Sequence, residues 1–166
     1  MAKSSCCFSS GSHAIINDKE HLKNRFYMWK VRSKVADLLF LDDSHADFFH
    51  EKIGQLEEEG HTADVYFKSL VYLCGLVSET RDNFGSIYSW TDRTINLDAL
   101  SAGWQTGGTY RITRLAFNLW NGCCSDSPDG EFISSMFLPD NLFCCSFMEY
   151  FFQAIRLRFP EYCLNR

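Results

Sequence analysis

One stretch, from Thr106 to Cys124, constrains the fold most strongly, and it reads TGGTYRITRLAFNLWNGCC. Thr109 is a suitable helix N-cap after two glycines, and Asn121-Gly122 is a typical helix end. Between them, four apolar residues follow the i, i+3, i+4 and i+7 spacing that places side chains on one face of an α-helix: Ile112, Leu115, Ala116 and Leu119. The pattern therefore predicts a largely buried helix over residues 109–121.

The polar residues of this helix also share one face, because Arg111, Arg114, Asn118 and Asn121 follow at helical spacings. In a functional interpretation, this face and the glycine-containing start of the helix bind a small anion or a nucleotide. Backbone N–H groups at a helix start and arginine side chains both favour phosphate and carboxylate groups. The predicted ligand-binding residues are Trp104, Gln105, Thr106, Gly107, Gly108, Arg111, Arg114 and Asn118.

A structural interpretation of the same residues competes with the functional one, and we favour it. Here the two arginines pair with carboxylates of an acidic chain, and the asparagines cap backbone groups. The segment Glu79–Asp82 offers such carboxylates. The glycine pair is not a P-loop, because no Gly-Lys-Ser/Thr follows it, and it is not a dinucleotide-binding motif.

Charge divides the chain into a basic start and an acidic body. Residues 1–34 contain seven Lys/Arg and two Asp/Glu, whereas the remaining residues contain nine and nineteen. An acidic body argues against broad, nonspecific DNA binding, which requires a basic face. No apolar run is long enough to cross a membrane and the start lacks a secretory signal, so we expect a cytoplasmic protein with reduced cysteines.

The basic start is predicted to be a mobile tail over residues 1–16 and an amphipathic helix over residues 17–43. Such a helix can contact a partner protein, and the predicted partner-binding residues are Lys23, Arg25, Lys30 and Arg32. We favour the alternative that the helix docks on the acidic body of its own chain or on a second copy, so a homodimer stays open. Membrane binding is disfavoured, because the basic residues do not cluster opposite the apolar face.

Residues 44–166 are predicted to form an all-α domain. The fold as a whole is expected to be a single globular bundle of about five to seven helices. Ser44 is the predicted cap of a helix to about Glu59, with Phe49, Ile53 and Leu56 facing inward. A nearly all-apolar helix follows over residues 62–78 and is expected at the centre. Shorter helices are predicted near residues 84–88 and 97–103, and Ser146 is the predicted cap of the last helix, which Pro160 ends.

Catalytic and metal-binding motifs are weak in this sequence. Cys123-Cys124 and Cys144-Cys145 bracket one loop, but adjacent cysteines lack the usual spacing of zinc ligands. No H-E-x-x-H or G-x-S-x-G motif is present, so we predict no catalytic residue, no metal ligand and no cofactor. Whether the chain is an enzyme stays undecided, and a zinc-stabilised module or an enzyme is the third alternative.

Several segments resemble a family of small uncharacterised proteins from Firmicutes genomes, phages and mobile elements, over about residues 44–162. These segments are Asn96-Leu-Asp-Ala-Leu100, Trp104-Gln-Thr106, Thr113-Arg-Leu-Ala-Phe-Asn-Leu-Trp-Asn-Gly122 and Phe143-Cys-Cys-Ser146. The resemblance implies a bacterial or phage-infected cytosol and carries over no catalytic residue. It suggests a non-catalytic accessory protein that inhibits or regulates a host defence factor by protein binding. Small-anion or nucleotide binding by the Gln105–Arg114 segment is the alternative function.

Overall fold

The computed structural model describes residues 38–126 and 133–163. Within these ranges the chain forms one short hairpin, in which β1 (Tyr88–Ser89) is antiparallel to β2 (Thr94–Ile95). Short 3-10 helices cover Leu97–Ser101, Ser135–Phe137 and Pro160–Tyr162. The α-helices of the described residues are α1 Asp43–Glu58, α2 Val65–Cys74, α3 Ser78–Asp82, α4 Phe84–Ile87, α5 Gly107–Asn121, α6 Pro139–Leu142 and α7 Met148–Arg158. These seven helices confirm the predicted all-α class.

Helix α2 lies at the centre of the described fold and packs against α1, α5 and α7. Its residues from Leu70 to Cys74 are all 0% exposed. A helix that is apolar on every side needs neighbours on every side, so this arrangement confirms its predicted central position. Burial raises the pKa of the Cys74 thiol, as expected for a core residue.

Helix α5 begins two residues before the predicted start. Thr106 is the N-cap, and its backbone N–H donates to the Thr109 hydroxyl over 2.6 Å, so Thr109 lies inside the first turn. The end of the helix is as predicted, because Gly122 adopts a left-handed φ of 78°. Glycine reaches this conformation at little steric cost and commonly terminates helices.

Three other predicted helix starts are wrong, and competition between neighbouring capping residues explains two of them. Asp42, not Ser44, caps α1 and accepts from the backbone N–H of His45 over 2.7 Å. Asp64, not Thr62, caps α2 and accepts from the Phe67 N–H over 2.8 Å. Asp, Ser and Thr are all good caps, and neighbouring candidates compete for the same N–H groups. Helix α7 starts at Met148 without a side-chain cap, so Ser146 does not form the predicted capping box.

The segment before α1 also differs from the prediction. Residues 38–42 are not helical, so the helix predicted over residues 17–43 does not extend through them. The rest of that helix, the predicted tail and residues 127–132 lie outside the described residues. The short helix predicted near residues 84–88 is α4, Phe84–Ile87, whereas the hairpin that follows it was not predicted. No helix among the described residues combines the length and the apolar character that a bilayer span requires.

Candidate ligand-binding sites

Arg114 is buried beside the loop that follows α5. Its Nε atom lies 2.9 Å from an Asp126 carboxylate oxygen, and its guanidinium lies 4.8 Å from the centre of the Tyr110 ring. The other oxygen of Asp126 accepts from the Ser134 hydroxyl over 2.8 Å. Asp126 is therefore bound both to Arg114 on α5 and to Ser134, which follows positions 127–132. The Nη1 atom of Arg114 is buried and has no hydrogen-bond partner within the described ranges.

Arg111 binds two backbone carbonyl groups. Its Nε atom donates to Asn141 O over 2.8 Å, which ties α5 to α6. Its Nη1 atom donates to Gly107 O over 2.7 Å, so the guanidinium lies along the first turn of its own helix. The two arginines share a stripe on α5 but have different partners, and neither hydrogen bonds with the Glu79–Asp82 segment.

The remaining predicted ligand residues also make internal contacts. Gln105 Nε2 donates to Ala99 O over 2.8 Å and to the Thr113 hydroxyl over 3.1 Å. Asn118 Nδ2 donates to Cys123 O over 3.1 Å. Thr106 caps the helix, Gly107 and Gly108 form its first turn, and Trp104 is half-buried beside it. These contacts support a structural role, and anion or nucleotide binding by this segment stays a prediction.

The predicted partner-binding residues, Lys23, Arg25, Lys30 and Arg32, lie outside the described residues. The two cysteine pairs carry free thiols. Cys123 Sγ donates to Ser125 O over 3.4 Å, and Cys145 Sγ donates to Leu142 O over 3.7 Å. Within residues 38–126 and 133–163, no three His, Cys, Asp or Glu side chains are grouped to hold a metal ion.

A pocket of about 190 Å³ opens where α1, α2, the hairpin and α5 meet. Phe67, Tyr88 and Trp120 contribute aromatic rings, and Leu56 adds an aliphatic side chain. The Phe67 and Tyr88 rings are 5.3 Å apart between centres, and those of Tyr88 and Trp120 are 5.6 Å apart, with both pairs edge to face. Three polar residues complete the lining: Thr62, Asp64 and Arg93. This pocket, which we call the hairpin pocket, thus combines aromatic rings with one carboxylate and one guanidinium.

Arg93 has an unusual backbone conformation, because its φ of 52° is in the left-handed region and it is not glycine. This conformation costs about 1–2 kcal/mol for a residue with a Cβ atom. The Ser89 hydroxyl donates to Asp92 Oδ2 over 2.8 Å and thereby closes the preceding turn. The turn holds Arg93 Nη1 3.2 Å from His61 Nδ1. Burial raises the pKa of the Tyr88 phenol, and the nearby Arg93 guanidinium opposes that shift. Backbone strain that is retained beside a pocket points towards a functional role for the side chain.

Helix α7 exposes an apolar surface, which we call the α7 apolar face and define as Phe143, Met148 and Phe152. Met148 and Phe152 are each 40% exposed and are four residues apart, so they lie on one side of the helix. The Phe143 ring stacks on Phe152, with 6.0 Å between the ring centres. Arg156, one turn further on, is also exposed.

Neither of these sites was predicted from the sequence. The pocket collects residues from position 56 to position 120, and no local spacing connects them. One signal was available, because Ser89 and Asp92 are turn-forming residues on either side of Trp90-Thr91 and suggest a hairpin.

The chain is a member of a family of unknown function, DUF6075, whose profile matches residues 35–166. The match confirms the predicted relation to an uncharacterised family. Comparisons with curated proteins and with solved structures found no match. Membership of this family shows which proteins the chain is related to, but it assigns no activity to any residue.

Proposed function

We propose that this protein is a non-catalytic binding protein that regulates or inhibits a host protein through the α7 apolar face. The observation that carries this proposal is the exposure of Met148 and Phe152 beside a stacked Phe143. Burying apolar surface contributes roughly 25 cal/mol per Å². A folded chain that leaves these side chains in water therefore retains a driving force for association.

The composition of the α7 apolar face also suits a protein partner. Aromatic residues, Met and Arg are enriched at protein interfaces, and this face has two phenylalanines, one methionine and the neighbouring Arg156. A fully aliphatic patch would fit a lipid or a core contact equally well. The contribution of the basic N-terminal residues Lys23, Arg25, Lys30 and Arg32 is part of the same proposal and rests on their charge alone.

The setting of this function follows from the resemblance described above. We propose that the protein acts in the cytoplasm of a bacterial or phage-infected cell. We further propose that it is an accessory protein of a phage or mobile element, and that the host partner is a defence factor. Small-anion binding by the Gln105–Arg114 segment is the second candidate, favoured by the buried Nη1 atom of Arg114, which has no partner among the described residues.

Site-specific crosslinking tests the protein-binding proposal. A photoreactive phenylalanine analogue at position 152 of the full chain should capture a host protein in bacterial cells. The same analogue at position 41 is the matched control, because Leu41 is also 40% exposed. With the captured protein purified, Phe152→Ser should weaken binding at least tenfold, and Leu41→Ser should not. Combined Lys23→Glu, Arg25→Glu and Lys30→Glu should weaken it further if the basic segment contributes.

Two outcomes would contradict the proposal. Equal capture from positions 152 and 41 would show that the α7 apolar face has no specific partner. Capture of a second copy of the same chain alone would make this face a homodimer interface. The anion candidate is separate, because Arg111→Ala and Arg114→Ala should remove phosphate-induced thermal stabilisation without affecting capture at position 152.

A further inference from the structure

The hairpin pocket is separate from the residues of the α7 apolar face, and its size restricts the ligand that it accepts. Pockets for drug-sized molecules are roughly 300–1,000 Å³, whereas this pocket is about 190 Å³. A single ring system fits within that volume, and a complete nucleotide does not. The aromatic lining favours a flat ligand, because aromatic side chains interact best with other rings at their faces and edges.

The polar groups of the pocket restrict the charge of the ligand. Arg93 and Asp64 line the same small space, yet neither belongs to the ion pairs of the described residues, which are Lys52–Glu51 and Arg114–Asp126. Asp64 uses one oxygen to cap α2, and a carboxylate accepts several hydrogen bonds. Arg93 Nη1 lies 3.2 Å from His61 Nδ1, and a guanidinium has five N–H donors. Both groups therefore keep hydrogen-bonding capacity.

A simple ion does not match this pair of groups. An anion would be attracted by Arg93 but repelled by Asp64 and by Glu59, which is close enough to act on Tyr88. A cation would be repelled by Arg93. A neutral ring with a donor and an acceptor on one edge satisfies both side chains without either repulsion.

We propose that the hairpin pocket binds a free nucleobase, or a nucleoside through its base. The bases of nucleic acids are flat, uncharged near neutral pH, and present N–H donors beside carbonyl or ring-nitrogen acceptors. The ring of Trp120 is half-buried and can be reached by a stacking ligand, whereas Phe67 and Tyr88 are each 2% exposed and form the apolar floor. The excess of carboxylates in the body disfavours the phosphates of a nucleotide or a nucleic acid strand.

The strained conformation of Arg93 fits this role. Arg93 has a left-handed φ at the end of the β1–β2 loop, where its side chain lies 3.2 Å from His61 and lines the pocket together with Tyr88. A guanidinium that is held in this way is preorganised, so less conformational entropy is lost when a ligand binds.

Ligand-observed saturation-transfer NMR with the full-length protein tests the proposal. Guanosine, adenosine, cytidine and uridine are the probes, with inorganic phosphate and guanidinium as single-charge controls. We expect at least one nucleoside to receive saturation through its base protons, with its affinity then measured by calorimetry. Phosphate and guanidinium should neither bind in the pocket nor displace that nucleoside.

Two variants locate the binding without removing the fold. Asp64→Asn keeps a helix cap of equal quality but changes the charge of the acceptor. Arg93→Asn removes the guanidinium and suits the left-handed conformation. Each should weaken nucleoside binding at least tenfold, while Arg156→Asn, on an exposed residue outside the pocket lining, should have no effect.

Three results would overturn this assignment. The first is the absence of nucleoside binding at millimolar concentration in the unmodified protein. The second is unchanged nucleoside affinity in Asp64→Asn and Arg93→Asn that still melt cooperatively. The third is phosphate binding that depends on Arg93, which would make this an anion site.

Discussion

The Nε2 atom of His45 lies 2.8 Å from the backbone carbonyl oxygen of Tyr72, and this contact joins α1 to the last turn of α2. The Leu41 backbone N–H donates to His45 Nδ1 over 3.2 Å. Because a backbone N–H can only donate, Nδ1 must accept, and the ring proton is on Nε2 and donates to Tyr72 O. His45 is 0% exposed, so the neutral ring is part of the core.

Because His45 is buried, we expect the protein to lose stability in mild acid. Burial lowers the pKa of His45 from 6.5 to about 4. The unfolded chain therefore binds a proton first as the pH falls, and the free energy of unfolding decreases between pH 6.5 and 4. The full effect is about 3–4 kcal/mol, at roughly 1.4 kcal/mol per pKa unit. Urea unfolding across this range should show a steeper decrease for the unmodified protein than for His45→Gln; equal slopes would refute this role.

The packing around His45 leaves no space for a side chain at position 75, which is glycine. A Cβ atom at this position would lie 2.6 Å from His45 Cδ2 and 3.2 Å from Phe48 Cδ1. The φ of Gly75 is −74°, so its backbone would accept alanine and only the contacts forbid it. We expect Gly75→Ala to lower the free energy of unfolding by about 1–3 kcal/mol, measured by denaturant unfolding.

Gly54 is the matched control for that substitution. It lies within α1, and a Cβ atom there would meet nothing within 4 Å. Gly54→Ala should raise stability by about 0.5–1 kcal/mol, because alanine restricts the unfolded chain and favours helix. If both substitutions had the same effect, the packing around His45 would not be as described.

Arg93, the strained residue of the hairpin pocket, is expected to matter for ligand binding but not for the stability of the fold. Arg93→Asn should leave the free energy of unfolding unchanged or raise it by up to about 1 kcal/mol, because asparagine tolerates a left-handed φ better. Thermal unfolding followed by circular dichroism measures this difference. A loss of more than about 1 kcal/mol would mean that the contact of Arg93 with His61 stabilises the fold by more than the strain costs.

The two ion pairs of the described residues are expected to contribute differently to the free energy of unfolding, and Arg114–Asp126 should contribute more. The Arg114 side chain is 9% exposed and that of Asp126 is 37% exposed, so the pair is only partly shielded from water. Asp126→Asn should lower the free energy of unfolding by about 1–2 kcal/mol, because it leaves a buried guanidinium without its carboxylate. Glu51→Gln breaks the exposed Lys52–Glu51 pair and should change stability by less than about 0.5 kcal/mol. Equal effects in denaturant unfolding would contradict the shielding of Arg114.

Local patterns in the sequence were sufficient to find the helices that form the core. The apolar spacing of α5 and the apolar run of α2 are set by residues three or four positions apart, which a helix brings together whatever surrounds it. The same locality explains the errors at helix starts. Asp42 and Ser44, or Thr62 and Asp64, compete for the same N–H groups, and their order of preference is decided by fractions of a kcal/mol.

By itself, then, the sequence determined the helical class, the central position of α2 and the glycine end of α5, because each depends on neighbours along the chain. The tertiary structure alone decided what the polar side chains do. Arg111 and Arg114 bind groups 30 and 12 residues away, and the hairpin pocket brings Asp64, Arg93 and Trp120 together from three elements. The packing of helices sets these distances, and that packing depends on the fit of many side chains at once, which no single spacing records.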